Sequence, residues 1–97
     1  MIVNIAHHSF DVYIGRGTPF GNPFKSGIDG TRSEVIELYR EWLRIQLQDD
    51  EFKKQFMQLK GKILGCHCKP KACHGDVILE ELDRLSSPLN NFIGTDI

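Results

Sequence analysis

Three short apolar runs along the chain predict β-strands. The first two, residues 2–5 and 12–14, are rich in β-branched and aromatic side chains and are separated by polar residues. The third run, residues 62–66, is mostly apolar and too short for a helix, which is typical of a buried central strand. The pattern therefore predicts a small sheet of three strands.

Apolar residues at helical spacing predict three helices. The first begins at a capping box formed by Thr31 and Glu34 and continues to about residue 48. The second follows the capping carboxylate Asp49 and ends at Gly61. The third follows a cysteine-rich turn and is closed by the Ser-Ser-Pro sequence at residues 86–88.

The order of these elements predicts one α/β domain over residues 1–88. Its sheet is expected to be mostly parallel and to be flanked by about three helices. Residues 89–97 lack periodicity and are expected to form an irregular C-terminal tail. A chain of 97 residues is too short for a two-domain enzyme. A homodimer is one way in which so small a core would gain stability.

A long Gly- and Pro-rich loop, residues 15–30, follows the second predicted strand. Its five glycines and two prolines suit neither a helix nor a strand, and long irregular segments in small domains are usually functional. Phe20 and Phe24 are expected to pin the loop to the core. Arg16 comes directly after the strand, where its guanidinium could bind a phosphate or carboxylate, and Asn22 could contact a base or sugar.

The overall charge is balanced, with 12 basic and 13 acidic side chains. This balance excludes a protein that coats nucleic acid without sequence preference. Residues 60–71 depart from it, since they contain four lysines and no acid, and they predict an anionic ligand. No apolar run is long enough to span a bilayer and the N-terminus has no signal-peptide pattern. We therefore expect a cytoplasmic protein without a membrane partner.

The three cysteines lie close together in the segment CHCKPKACHGD, and an odd, crowded set is a poor disulfide framework. Cys66 and Cys68 are two residues apart, so an extended backbone would point both thiols to one side. Cys73 and His74 open the next predicted helix, and the four side chains together would suit Zn²⁺. Two features oppose this hypothesis: neighbouring residues rarely bind one ion together, and the usual two-residue spacer between paired cysteines is missing.

The same segment also allows chemistry without a metal. A thiol at a helix N-terminus, next to His74 and near lysines, is expected to be stabilised as a thiolate, which would make Cys73 a nucleophile. Free amides in the first turn, with Gly75 allowing close approach, would bind phosphate. Asp76 could act as a base, accept a sugar hydroxyl or serve only as a favourable first-turn carboxylate. The predicted catalytic residues are Cys73, His74 and Asp76.

The segments Tyr-Ile-Gly-Arg, Gly-Asn-Pro-Phe, Cys-x-Cys-x-Pro and Cys-His-Gly-Asp resemble the signatures of a family of small phage and bacterial proteins of unknown function, over about residues 4–82. The resemblance implies one composite site and a phage origin, and it implies no reaction. The positions that it marks are Tyr13, Gly15, Arg16, Gly21, Asn22, Pro23, Phe24, Cys66, Cys68, Pro70, Cys73, His74, Gly75 and Asp76.

We therefore expect a phosphate-bearing ligand, a nucleotide or nucleotide-derived molecule, between the loop and the Cys/His turn. Hydrolysis or group transfer at a glycosidic or phosphate bond is the expected reaction class. The expected ligand-binding residues are Tyr13, Gly15, Arg16, Gly21, Asn22 and Gly75. This interpretation requires Arg16 and His74 to face one cavity.

Two other classes of function stay open. One is a non-enzymatic module in which zinc is held by Cys66, Cys68, Cys73 and a histidine, which could be His74, His67 or a more distant one, and which binds a host protein or nucleic acid. The other is an interaction protein without pocket chemistry, whose exposed loop is the contact surface. If the protein is phage-encoded, its compartment is the host cytoplasm.

Overall fold

Three short parallel strands form the sheet. The computed structural model describes residues 1–69 and 71–86. The strands are β1 (Ile2–Asn4), β2 (Val12–Tyr13) and β3 (Leu64–Cys66). β3 lies between the other two and is parallel to both. The predicted α/β class and its small parallel sheet are confirmed.

The central position of β3 explains its apolar sequence. All three of its residues are buried, whereas the residues of β1 and β2 are half-buried. Leu64 is in register with both Ile2 and Val12. The amide of Ile5 donates to the carbonyl of Cys66, and the amide of Ile14 to that of Gly65, each at 3.0 Å. These bonds extend both ladders by one residue, to the ends of the predicted runs.

The helices are α1 (Arg32–Gln46), α2 (Asp50–Met57) and α3 (His74–Ser86). Both hydrogen bonds of the predicted capping box at Thr31 are present, and Asp49 caps α2. α2 ends before Gly61, because turn-type hydrogen bonds replace the helical ones after Met57. No helix within residues 1–69 and 71–86 is long and apolar enough to cross a membrane. The predicted stop at residues 86–88 and the predicted tail fall largely or wholly outside the described residues.

The core joins the helices, the sheet and the Gly-rich loop. Phe20 is buried and packs edge-on against Phe52 and Phe56, with ring centroids 5.5 and 5.9 Å apart. The hydroxyl of Tyr39 donates to the carbonyl of Phe20 at 2.8 Å. Burial of the aromatic ring and satisfaction of the carbonyl fix the loop to α1 and α2. The loop is therefore an ordered wall beside the sheet.

α1 and α3 are also joined by an ionic cluster. Glu81 is almost fully buried and accepts hydrogen bonds from Arg44 and Arg84, each at 2.5 Å. Burial opposes ionisation of Glu81, but the two guanidinium groups prevail and keep its pKa below the ordinary value. We call these three residues the Glu81 clamp.

Candidate functional site

A cavity of about 390 Å³ opens where β2 and β3 end. Parallel strands bring their carboxyl ends to the same edge of the sheet, which is where open α/β folds bind ligands. The Gly-rich loop, the first turns of α1 and the Cys/His turn form its walls. We call it the arginine cavity. It is lined by Tyr13, Gly15, Arg16, Asn22, Phe24, Ser26, Arg32, Val35, Ile36, Cys66, His67, Cys68, Ala72, Cys73 and His74.

The two arginines of this cavity are bonded to backbone carbonyls. Arg16 donates to the carbonyl of Asn22 at 3.3 Å, and Arg32 donates to that of Ala72 at 3.0 Å. Neither has a carboxylate partner among residues 1–69 and 71–86. Within the described ranges, no aspartate or glutamate lines the cavity. Its electrostatic character is therefore positive, and it favours an anion.

His74 faces the same cavity as Arg16, although the two residues are far apart in sequence. The imidazole is buried, stands edge-on to Tyr39 at 5.1 Å, and its Nε2 lies 2.7 Å from the carbonyl oxygen of Ile14. A carbonyl only accepts, so Nε2 carries the proton of the neutral ring and Nδ1 carries the lone pair. Burial lowers the pKa of His74; the bond to Ile14 opposes this shift and the charge of Arg16 adds to it.

The expectation of a stabilised thiolate at Cys73 is wrong. Cys73 is buried, and its Sγ lies 3.5 Å from the Sγ of Cys66. Burial raises the pKa of Cys73, and the hydrogen bond with the Cys66 sulfur raises it further. The first-turn amide of Gly75 favours the thiolate but is outweighed. Cys73 is therefore a neutral thiol in the cavity wall.

Asp76 does not line the arginine cavity. Its carboxylate accepts from the backbone amide of Cys73 at 3.2 Å and from Lys69 Nζ at 2.6 Å. Burial opposes ionisation of Asp76, but these two bonds keep its pKa below the ordinary value. Asp76 therefore has the capping role of a first-turn carboxylate. Lys69 forms an ion pair with Asp76, so the charge of Lys69 is not directed at the cavity.

The residues predicted as zinc ligands are not gathered into a metal site. Within the described part of the chain, no group of three or more His, Cys, Asp or Glu side chains could hold a metal ion. Cys66 and Cys73 contact each other, and His74 uses Nε2 on a backbone carbonyl. Cys68 is half-buried in the cavity wall.

The three predicted glycines differ in their positions. Gly15 lines the cavity beneath the ring of Tyr13, whose Oη would lie 2.1 Å from an added Cβ. Gly21 lies outside the cavity lining and lets the loop approach Gly15, since its Cβ would be 2.5 Å from the Gly15 carbonyl oxygen. Gly75 is buried against β1, where a Cβ would be 2.9 Å from Ile2. Gly21 and Gly75 thus serve close packing and do not face this ligand space.

Tyr13 and Asn22 both line the cavity, and they differ in their contacts: Tyr13 has an aromatic neighbour, whereas the Asn22 amide is hydrogen-bonded to the backbone. The ring of Tyr13 stands edge-on to that of His67, with centroids 5.6 Å apart. The Asn22 amide donates to the carbonyl of Val35 at 3.2 Å, and its Oδ1 accepts from the amide of Phe24 at 2.9 Å. Asn22 therefore joins the loop to α1, which is a turn-forming role.

Arg32 is a cavity residue that the sequence reasoning missed. It is the first residue of α1. A basic side chain is unfavourable in a first helical turn because it faces the positive end of the helix dipole. An arginine in the first turn of a helix, directly after a Gly-rich loop, was therefore the sequence signal that could have identified Arg32 as a cavity residue. The apolar wall residues Val35 and Ile36 gave none, because the same periodicity is typical of core positions.

The fold and the cavity define a small α/β protein with a positively charged site at the carboxyl end of a parallel sheet. The chain belongs to the family described as Domain of unknown function (DUF4326), which matches residues 3–84. A relative from Enterobacteria phage T4, the "Uncharacterized 12.4 kDa protein in nrdA-td intergenic region", is 40% identical over 85 residues, which cover 87% of this chain and 78% of the relative. No solved structure matches the chain. The predicted resemblance to a phage and bacterial family of unknown function is confirmed.

Proposed function

We propose that the protein binds a phosphate-bearing ligand, a nucleotide or nucleotide-derived molecule, in the arginine cavity. The observation that carries the proposal is the pair Arg16 and Arg32, which lie at one cavity without a carboxylate partner among residues 1–69 and 71–86. A guanidinium presents a planar fork of donors that matches a phosphate, so either arginine offers an anion a bidentate partner.

The rest of the cavity wall supports a ligand with a flat apolar part. Tyr13 and Phe24 offer aromatic surface, and Val35 and Ile36 offer aliphatic surface from the first turns of α1. A volume of about 390 Å³ lies within the usual range of small-molecule sites. A phosphate joined to a sugar and a base combines the two kinds of surface that this cavity provides.

The geometry favours His74 over Cys73 and Asp76 for any hydrolysis or group transfer in this cavity. Cys73 is held neutral by burial, and Asp76 is bonded to Lys69 and the helix backbone outside the cavity lining. Nδ1 of a neutral His74 could accept a proton from water or from a ligand hydroxyl. Its ring orientation is already set by the bond to Ile14.

The test is calorimetric titration with a panel of nucleoside phosphates, ADP-ribose and nucleotide sugars, together with thermal denaturation of each mixture. A ligand at about a hundred times its dissociation constant should stabilise the protein by about 2.7 kcal/mol. Arg16→Ala and Arg32→Ala should each weaken binding about tenfold to a hundredfold, because each removes charged hydrogen bonds. Chromatography of the mixtures would detect turnover, which His74→Gln should abolish without abolishing binding.

The control variant is Lys53→Ala, on the exposed surface of α2, which removes the same charge away from the cavity. It should leave the affinity unchanged. The proposal fails if no member of the panel binds the wild-type protein, or if Lys53→Ala weakens binding as much as Arg16→Ala does.

A further inference from the structure

A second cavity, of about 450 Å³ and more open to solvent, lies beside the arginine cavity and shares Arg16 and Asn22 with it. Its other walls are the Gly17–Pro19 turn, Gly21, Pro23 and Trp42. We call it the tryptophan cavity. Because two residues line both spaces, a ligand that contacts Arg16 can extend into either or both of them.

The tryptophan cavity suits a planar, uncharged group. The Trp42 indole is half-buried and is packed against the rings of Tyr39 and Phe52, with centroids 5.5 and 6.3 Å apart. Its position is therefore fixed before any ligand arrives. Pro19 and Pro23 are exposed and add flat apolar surface. Arg16 is the one charged residue among those that line this space within the described chain.

Arg16 stands where the two cavities join. It is exposed, and its one hydrogen bond within residues 1–69 and 71–86, to the carbonyl of Asn22, leaves most of its five N–H groups free of partners in those ranges. The loop is held on both sides of this point, since Thr18 Oγ1 donates to the Gly15 carbonyl at 2.7 Å and Phe20 is buried in the core. The anionic part of a ligand at Arg16 would therefore have, on either side, a space that offers some aromatic surface: Tyr13 and Phe24 in the arginine cavity and Trp42 in the tryptophan cavity.

We propose that the ligand is a dinucleotide, with its phosphate linkage at Arg16, one base in the arginine cavity and the other in the tryptophan cavity. The inference rests on the proposed function, and it adds that the ligand has two bases joined through a phosphate linkage. A mononucleotide has one base and can fill only one of the two spaces. Stacking of a second base on an aromatic side chain should strengthen binding about tenfold or more.

Trp42 is the sole tryptophan of the chain, so its fluorescence reports directly on the second cavity. The experiment titrates the wild-type protein with the four ribonucleoside 5′-monophosphates and with the corresponding homodinucleotides, joined by a phosphodiester or by a pyrophosphate. At least one dinucleotide should bind about tenfold more tightly than its mononucleotide and should change the Trp42 emission at saturation. The linkage that binds more tightly identifies the chemical source of the dinucleotide.

Two variants of Trp42 test the stacking itself by calorimetry. Trp42→Leu removes the aromatic surface and should weaken dinucleotide binding about tenfold, with mononucleotide affinity unchanged. Trp42→Phe keeps a ring and should restore most of the dinucleotide affinity. Circular dichroism of both variants shows whether the fold is intact. The fluorescence titration uses the wild-type protein and therefore tests the inference even if a variant does not fold.

The outcomes separate this inference from the function on which it rests. If no mononucleotide or dinucleotide binds, the proposed function is wrong and the dinucleotide inference falls with it. If both kinds bind with equal affinity, or if a saturating dinucleotide leaves Trp42 emission unchanged, the protein binds nucleotides and the two-cavity inference alone is overturned.

Discussion

Arginine occurs in two contrasting settings in this protein. In the Glu81 clamp, Arg44 and Arg84 donate to one buried carboxylate, and the cluster ties α1 to α3. In the arginine cavity, Arg16 and Arg32 donate to backbone carbonyls, and no carboxylate within residues 1–69 and 71–86 neutralises them. The partner, and not the residue type, decides whether a guanidinium serves stability or remains available to a ligand.

The largest effect on stability should come from Glu81→Ala. This change removes two charged hydrogen bonds from a buried site and should lower the free energy of unfolding by about 3 kcal/mol, measured by urea denaturation. Glu80→Ala, one residue earlier on α3, is the matched control: Glu80 pairs with Arg40 at the exposed surface, so the loss should stay below about 1 kcal/mol. Equal losses in the two variants would refute the importance of the clamp.

The next largest effects should come from removing one arginine from each region in turn. Arg16→Ala should weaken ligand binding about tenfold to a hundredfold and leave the urea midpoint nearly unchanged, because Arg16 is exposed and makes one hydrogen bond to the described part of the chain. Arg84→Ala should do the reverse, with a lower midpoint and unchanged affinity. If Arg84→Ala weakens binding, or if Arg16→Ala unfolds the protein, the division between the two regions is wrong.

The thiols extend the comparison to uncharged groups. Cys73 and Cys66 are buried against each other, and burial raises the pKa of Cys73, whereas Cys68 is half-buried at the cavity. Iodoacetamide should therefore modify Cys68 first in the native protein. Mass spectrometry of peptides from the labelled protein would show the order in which the thiols react. Cys68→Ser should remove this early label. Earlier modification of Cys73 would mean that its thiolate is accessible after all.

The smallest effect concerns pH and His74. Burial holds the pKa of His74 below its ordinary value of 6.5, so the unfolded chain binds a proton there at a higher pH than the folded chain. The stability that His74 contributes is complete above about pH 6.5 and falls as the pH drops toward the folded pKa. Urea midpoints between pH 7.5 and 5.5 would measure this slope on wild type and His74→Gln, and the variant should lose it. If the urea midpoint of His74→Gln depends on pH as steeply as that of the wild type, another group causes the pH dependence.

Much of the fold was predictable because its signals are local. The capping box at Thr31 and the apolar periodicity of α1 act within a few residues, and the fully apolar run of β3 indicates burial on its own. The site residues depend on tertiary contacts. Helix-end rules favour a thiolate at Cys73, but the sequence does not show that Cys66 and the core would desolvate that sulfur.

The charges of the Cys/His turn show the same limit. Lys69 and Asp76 each have several plausible partners in the sequence, and only the folded turn pairs them with each other. Arg32 belongs to α1 by periodicity, and only the packing of α1 beside the turn brings it to the carbonyl of Ala72. The position of the cavity could be predicted from the strand ends, whereas the contacts of each side chain depend on neighbours that are distant in sequence.

The order of the strands also constrains how the chain acquires its fold. Among the strands within residues 1–69 and 71–86, β3 comes last in the sequence, yet it holds both edges of the sheet, and β1 and β2 have no ladder to each other. A nascent chain that stops short of Leu64 has the Gly-rich loop and the first turns of α1, but it lacks both the central strand and the Cys/His turn that complete the arginine cavity. Pairing across so long a stretch of sequence is entropically costly and slows folding. The walls of the arginine cavity can therefore meet only after β3 and the Cys/His turn have been synthesised.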